Sequence, residues 1–307
     1  MTSGVTTWRE LRADAAARLA AVIADPEQEA RWMVEEVSGL ASASLVAADG
    51  AVAPPGAAAR LDAMLDRRTD GEPLQYVLGS WSFRGIDLFV DRRVLIPRPE
   101  TEVTVEVAIA EAASLGARRG RRSVWSGTTT AYAVADLGTG SGAIALALAA
   151  ELPDAEIWAS DRSPEALTVT RANLAGAGTT ATRVRVAEGD WFDALPDGLR
   201  GQLRLAVSNP PYVAAHELDD LPPEVARHEP HAALVSGPTG LEATARIIAD
   251  APRWLEPDGV LVVEIAAQRA DETTRLAHEA GFVDVRVERD LTGRDRVLVA
   301  RGPERGR

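Results

Sequence analysis

The chain has 307 residues, of which 46% are hydrophobic and 26% charged, with a formal net charge of −13 and no cysteine. That length and composition describe an ordinary globular protein with one large domain and a smaller one. Disulfides, thiolate metal sites and cysteine nucleophiles are excluded, and the acidic balance argues against a broad nucleic-acid surface.

Residues 1–74 read as a helical domain. Arg9, Glu10, Arg12, Asp14 and Arg18 interrupt any apolar stretch that could serve as an export signal. Asp25-Pro26 reads as an N-cap followed by proline at the first helical position. Ala30, Met33, Val34 and Val37 follow at helical spacing, and Gly39 ends the run. A later helix carries Leu61, Met64 and Leu65 on one face and stops before Gly71.

Residues 75–98 read as a hairpin and linker. Trp81, Phe83, Ile86, Leu88 and Val90 flank Arg84-Gly85, the expected turn. In the segment Ile96 to Glu102, Pro97 and Pro99 are expected to prevent regular structure at their own positions, with a helix continuing through Val103, Val107 and Ala110.

Residues 99–307 read as an α/β domain. The run Arg118, Arg119, Arg121 and Arg122 reads as part of a solvated linker. Apolar runs then recur at 132–137, 156–160, 183–187, 203–208 and 259–265, with helical patterns between most of them. That alternation predicts a parallel sheet covered on both faces. The last two strands, near 283–289 and 296–300, are joined by a link too short for a crossover helix, so they should be antiparallel. The longest apolar run, Ala143 to Ala150, is too short to cross a bilayer. A soluble cytoplasmic protein with no membrane partner is expected.

Two loops carry chemistry. The first, Gly138-Thr139-Gly140-Ser141-Gly142, follows the strand at 132–137 and precedes a helix, so its backbone can turn sharply and approach a ligand closely. Its spacing is neither the dinucleotide fingerprint nor a Walker loop. About twenty residues on, a strand ends in Ser160-Asp161, where a carboxylate can accept both ribose hydroxyls of an adenosine. Asp161 as a helix cap is the weaker reading, because Ser163 is better placed to cap. The next strand ends in Gly189-Asp190-Trp191-Phe192, which offers Asp190 and the face of Trp191, either as an adenine wall or as plain core.

The second loop, Asn209-Pro210-Pro211-Tyr212, follows the strand at 203–208. An amide or exocyclic amine nitrogen is a poor nucleophile because its lone pair is delocalised. Acceptors on its hydrogens counter that, and the Asn209 carboxamide oxygen and Pro210 carbonyl can supply two. Proline fixes that carbonyl, and Tyr212 can stack on the planar group. The four histidines, His216, His228, His231 and His278, lack metal-ligand spacing, and no metal is expected.

These residues resemble the release-factor glutamine N5-methyltransferases, the HemK/PrmC family. The resemblance runs from about Gly71 onward: Gly71 to Tyr76, Gly79 to Phe83, Val94 to Glu102, Asp136 to Gly142, Asp190 to Phe192, Asn209 to Tyr212, His228 to Leu234, Leu255 to Gly259 and Glu264-Ile265. It implies a Rossmann-like class I methyltransferase sheet, parallel with one antiparallel strand, plus a small N-terminal helical domain joined by a β-hairpin. It implies that Gly138 to Gly142, Asp161, Asp190, Trp191 and Asn209 hold S-adenosylmethionine, and that Asn209 to Tyr212 hold the substrate glutamine. That glutamine lies in the Gly-Gly-Gln loop of peptide-chain release factors, which residues 1–74 would help dock. A monomer with no direct nucleic-acid partner is expected. Ala266 stands where the family has glycine, Ser236 and Thr239 depart from a segment usually richer in Gly and Asp, and Ser114 to Thr130 reads as an added linker. Three other readings share these motifs: methylation of adenine N6, methylation of a ribosomal-protein glutamine, and a non-catalytic S-adenosylmethionine-binding module. The acidic balance and the intact tetrapeptide weigh against the first and third.

Overall fold

The computed structural model describes residues 6–115 and 132–302; the run from Arg118 to Arg122 lies outside the described residues. Two compact units emerge, one of Met1–Ser80 with Pro222–His228, the other of Trp81–Leu221 with Glu229–Arg307.

In the first unit the chain forms α1 (Trp8–Leu19), α2 (Pro26–Ser38), α3 (Ser42–Ala47), α4 (Ala57–Thr69) and α5 (Leu74–Leu78). Helix α1 starts with a capping box: the Glu10 backbone N–H donates to Thr7 Oγ1 at 3.3 Å, and the Thr7 N–H donates to Glu10 Oε2 at 2.8 Å. Asp25 caps α2, Pro26 opens it, and Gly39 closes it at φ +68°, a left-handed conformation that glycine adopts without strain. The apolar faces of α1, α2 and α4 meet in a core that includes Leu11, Leu19, Met33, Val34, Leu61 and Leu65. Arg68, buried at the end of α4, is held by Glu29 at 2.7 Å and Glu224 at 3.3 Å.

A hairpin follows, β1 (Ser80–Phe83) and β2 (Ile86–Phe89). Arg84 at φ +48° and Gly85 at φ +74° make the mirror-image turn whose twist suits paired strands. Helix α6 (Pro99–Ser114) starts earlier than the sequence predicts. Pro99 does not break regular structure; it is the first helical residue, where a missing N–H costs nothing, while Arg98 before it is extended and Pro97 lies outside regular structure, as the sequence predicts.

The α/β part continues as β3 (Tyr132–Leu137), α7 (Ala143–Glu151), β4 (Ala155–Asp161), α8 (Pro164–Gly176), β5 (Val184–Glu188), β6 (Leu203–Ser208) and β7 (Val213–Ala214). Then come α9 (Pro223–His228), α10 (His231–Leu234), β8 (Val235–Gly237), α11 (Glu242–Trp254), β9 (Leu255–Glu264), α12 (Ala270–Glu279), β10 (Asp284–Arg289) and β11 (Asp295–Arg301). Seven strands form one sheet in the order β10-β11-β9-β6-β3-β4-β5. Strand β11 runs antiparallel to both neighbours, with Val287 opposite Leu298 and Leu298 opposite Val263. The other neighbouring strands pair in parallel. Every residue of β6 is buried, as a central parallel strand covered on both faces must be. The fold is that of an α/β class I methyltransferase.

Register decides where function can sit. Leu137 pairs with both Ser160 and Ser208, and Ser208 pairs with Val263. Strands β3, β4, β6 and β9 therefore end level, and the loops that leave them share one carboxyl edge. Leu205, fully buried in β6 between Val134 and Val260, anchors that register. Leu205→Ala should cost about 3 kcal/mol through the cavity it leaves. Urea unfolding would show it as a lowered midpoint, and an unchanged midpoint would contradict it.

Candidate functional site

The glycine loop folds around a buried carboxylate. Asp136, fully buried near the end of β3, accepts from Thr139 Oγ1 at 2.6 Å and from the Ala145 N–H at 3.0 Å with the same oxygen, Oδ2. Its Oδ1 is buried without a hydrogen-bond partner. Burial pushes the Asp136 carboxyl up to about 7, against the pull of those two donors. The Gly138 and Thr139 N–H groups both donate to Ser160 O at 2.8 Å, which ties the loop to the end of β4.

Gly138, Gly140 and Gly142 all lie in the left-handed region. At Gly138 space matters as well, since an added Cβ would stand 2.9 Å from the Trp191 ring. Asp161 braces the loop from below: Oδ2 accepts from the Gly140 N–H at 2.9 Å and Oδ1 from the Ser163 N–H at 2.9 Å. Ser163 itself caps α8, accepting from the Ala166 N–H at 3.1 Å.

A cavity of about 360 Å³ opens along this edge. Gly138 to Ser141, Asp161, Asp190, Trp191, Asn209 and Pro211 line it, whereas Gly142, Pro210 and Tyr212 do not. Gly142 instead packs against Thr170, Pro210 is buried, and Tyr212 is half-buried with its hydroxyl pointed inward. Trp191 is half-buried: its ring forms cavity wall over Gly138 and also leans on the core, while Ser160 Oγ donates to its carbonyl at 3.2 Å.

Two residues to which the sequence assigns no role, though both lie in stretches that carry the family resemblance, stand behind Asn209. Its Nδ2 donates to Thr101 Oγ1 at 3.0 Å, and Thr101 Oγ1 donates to Glu264 Oε2 at 2.8 Å. Thr104 Oγ1 reaches the same oxygen at 3.3 Å, and Tyr212 Oη reaches Glu264 Oε1 at 3.4 Å. Burial raises both the Glu264 carboxyl and the Tyr212 hydroxyl above their ordinary ranges. A second buried carboxylate, Glu229, accepts from the Ile96 N–H at 3.2 Å and from the Arg98 guanidinium, so the 96–98 segment is pinned beside the cavity. One signal for Glu264 was present in the sequence, a lone carboxylate near the end of an otherwise apolar run. Among the described residues no group of His, Asp and Glu could hold a metal ion.

Residues 10–79 match the PrmC N-terminal domain model, and residues 126–226 match the methyltransferase small domain. The release factor glutamine methyltransferase of Cereibacter sphaeroides is 39% identical over 95% of this chain and 97% of its own length. That of Gloeobacter violaceus is 38% identical over 97% of each. This chain belongs to the release factor glutamine methyltransferase family. Among solved structures, the hMettl16 catalytic domain in complex with MAT2A 3'UTR hairpin 6 shares the fold, at 16% identity and a TM-score of 0.50 over 83% of this chain and 84% of that one.

Asp136 gives this family member a pH signature. The folded chain holds its proton up to about pH 7, whereas an unfolded aspartate ionises near ~4. The stability it confers is therefore complete below the unfolded value and is lost as pH rises through the folded one. Asp136→Asn cannot ionise, so wild-type Tm should fall relative to the variant between about pH 4 and 7. Parallel Tm curves across that window would contradict the assignment.

Proposed function

We propose that this chain transfers a methyl group from S-adenosylmethionine to the side-chain amide nitrogen, N5, of the glutamine in the Gly-Gly-Gln loop of a peptide-chain release factor. The observation that carries this reading is the Asn209 carboxamide on the wall of the same cavity as the glycine loop, in a chain so closely related to enzymes named for that reaction. The cavity suits such a cofactor: it is large enough for a ligand of that size, and a glycine-rich loop lies between a carboxylate and an indole face. Gly138 to Ser141, Asp161, Asp190 and Trp191 would hold the cofactor, beside Asn209, with Gly142 completing the turn behind them. When bound, S-adenosylmethionine supplies an electrophilic methyl on a positively charged sulfur.

The chain's own part is to make a poor nucleophile react. Asn209 Oδ1 and the Pro210 carbonyl accept the two hydrogens of the glutamine amide, which directs its lone pair toward the methyl. Pro210 is buried, so its carbonyl does not wander. Pro211, on the cavity wall, flanks the planar amide, and Tyr212 holds the loop from behind through Glu264. With the cofactor bound, its methyl would pass to the amide nitrogen, the S–C electron pair would stay on sulfur, and the nitrogen would give up one proton to water. Most of the rate gain is positioning. The helical unit of residues 1–74 helps dock the release factor, and the protein acts as a cytoplasmic monomer without a nucleic-acid partner. No helix among the described residues is long and apolar enough to cross a membrane.

Asn209→Ala removes one of the two acceptors and should lower kcat about 100-fold, by analogy with deletion of one oxyanion donor. Cofactor affinity, followed by calorimetry, should stay within a few fold. Undiminished transfer would overturn the role given to Asn209.

A further inference from the structure

Glu264 ends the central strand β9 fully shielded from solvent. A buried carboxylate is tolerated only where donors meet it, and here three hydroxyls do: Thr101, Thr104 and Tyr212. Each hydroxyl has a single proton to give. Once Thr101 gives its proton to Glu264 at 2.8 Å, its oxygen can only accept. The Asn209 side chain contacts that oxygen at 3.0 Å, so the end of the carboxamide turned to Thr101 must be the NH2. Which way an amide points is decided by such partners. Oδ1 is then the end left for the cavity, which both Thr101 and Asn209 line.

The direction of this chain of hydrogen bonds has consequences. With the amide reversed, Asn209 would present two N–H donors to the hydrogens of an incoming amide, and the contact would turn from attractive to repulsive. The same carboxylate also receives the Tyr212 hydroxyl on its other oxygen. Both ends of the Asn209 to Tyr212 loop are thus tied to one buried carboxyl group.

We propose that Thr101 and Glu264 are positioning residues that hold the Asn209 carboxamide with its oxygen toward the cavity, through the ordered relay Asn209 to Thr101 to Glu264. The catalytic half of this inference rests on the reading that Asn209 accepts from a substrate amide; the orientation itself does not. Neither residue touches the reacting atoms. Their effect is to fix a single polarity for the acceptor, which would otherwise rotate between two hydrogen-bonding faces of similar shape. Thr104 adds a third donor to the Glu264 carboxyl, which therefore keeps partners when Thr101 is changed.

The test uses the full chain and two variants. Thr101→Val removes the hydroxyl at nearly constant volume, and Thr101→Ser restores it. Hydrogen exchange of the Asn209 side-chain NH2, followed by NMR and assigned by its loss in Asn209→Ala, should quicken about tenfold in Thr101→Val, the weight of one hydrogen bond. It should return to within about threefold of wild type in Thr101→Ser. Unchanged exchange in Thr101→Val would overturn the relay whatever the enzyme methylates. On a release factor, kcat should fall about 10- to 100-fold in Thr101→Val, with KM for S-adenosylmethionine within about twofold. Wild-type kcat in that variant would overturn the positioning role. Wild-type enzyme that fails to methylate any release factor would instead sink the functional reading, while the exchange measurement would still decide the relay.

Discussion

The level carboxyl edge of the parallel sheet is the constraint from which the rest of the site follows. Toward the carboxyl ends of strands β3, β4, β6 and β9, Asp136, Ser160, Ser208 and Glu264 place polar groups at 0% exposure. Each such group must find partners or impose a large cost. Ser208 donates to Leu137 O at 2.7 Å, Ser160 to Trp191 O, Asp136 gathers the glycine loop, and Glu264 gathers three hydroxyls. The loops are shaped by the demands of these strand ends, and the cavity is the space left between them.

Two carboxylates at that edge do opposite work. Asp136 serves the glycine loop: it shapes the loop by accepting from Thr139 and Ala145, and it leaves one oxygen without a partner. Glu264 serves the Asn209 to Tyr212 loop, where it fixes Thr101 and Tyr212. Burial raises the proton affinity of both, so neither is held simply as a free anion would be. The Thr101 hydroxyl, Arg296 and the Thr104 hydroxyl oppose that rise at Glu264 without cancelling it.

Much of this was legible in the sequence, for physical reasons. The sheet shows as apolar runs of strand length, and the reversed last strand as a link too short for a crossover. The glycine loop and the Asn209 to Tyr212 loop stand out because each directly follows such a run. Less legible was anything built from distant positions: Thr101 and Glu264 are 163 residues apart, and no periodicity joins them. Pro99 was misread because proline breaks helices in their interior yet suits their first turn. The inward-facing hydroxyl of Tyr212 could not be foreseen, since its partner is that same distant Glu264.

The central claim is that this edge methylates one glutamine amide. Incubation of the protein with S-adenosylmethionine and a peptide-chain release factor, followed by peptide mass spectrometry, tests it most directly. The account predicts a single methyl on the glutamine of the Gly-Gly-Gln loop. An unmodified release factor, with the methyl appearing instead on a nucleic acid or a ribosomal protein, would contradict it.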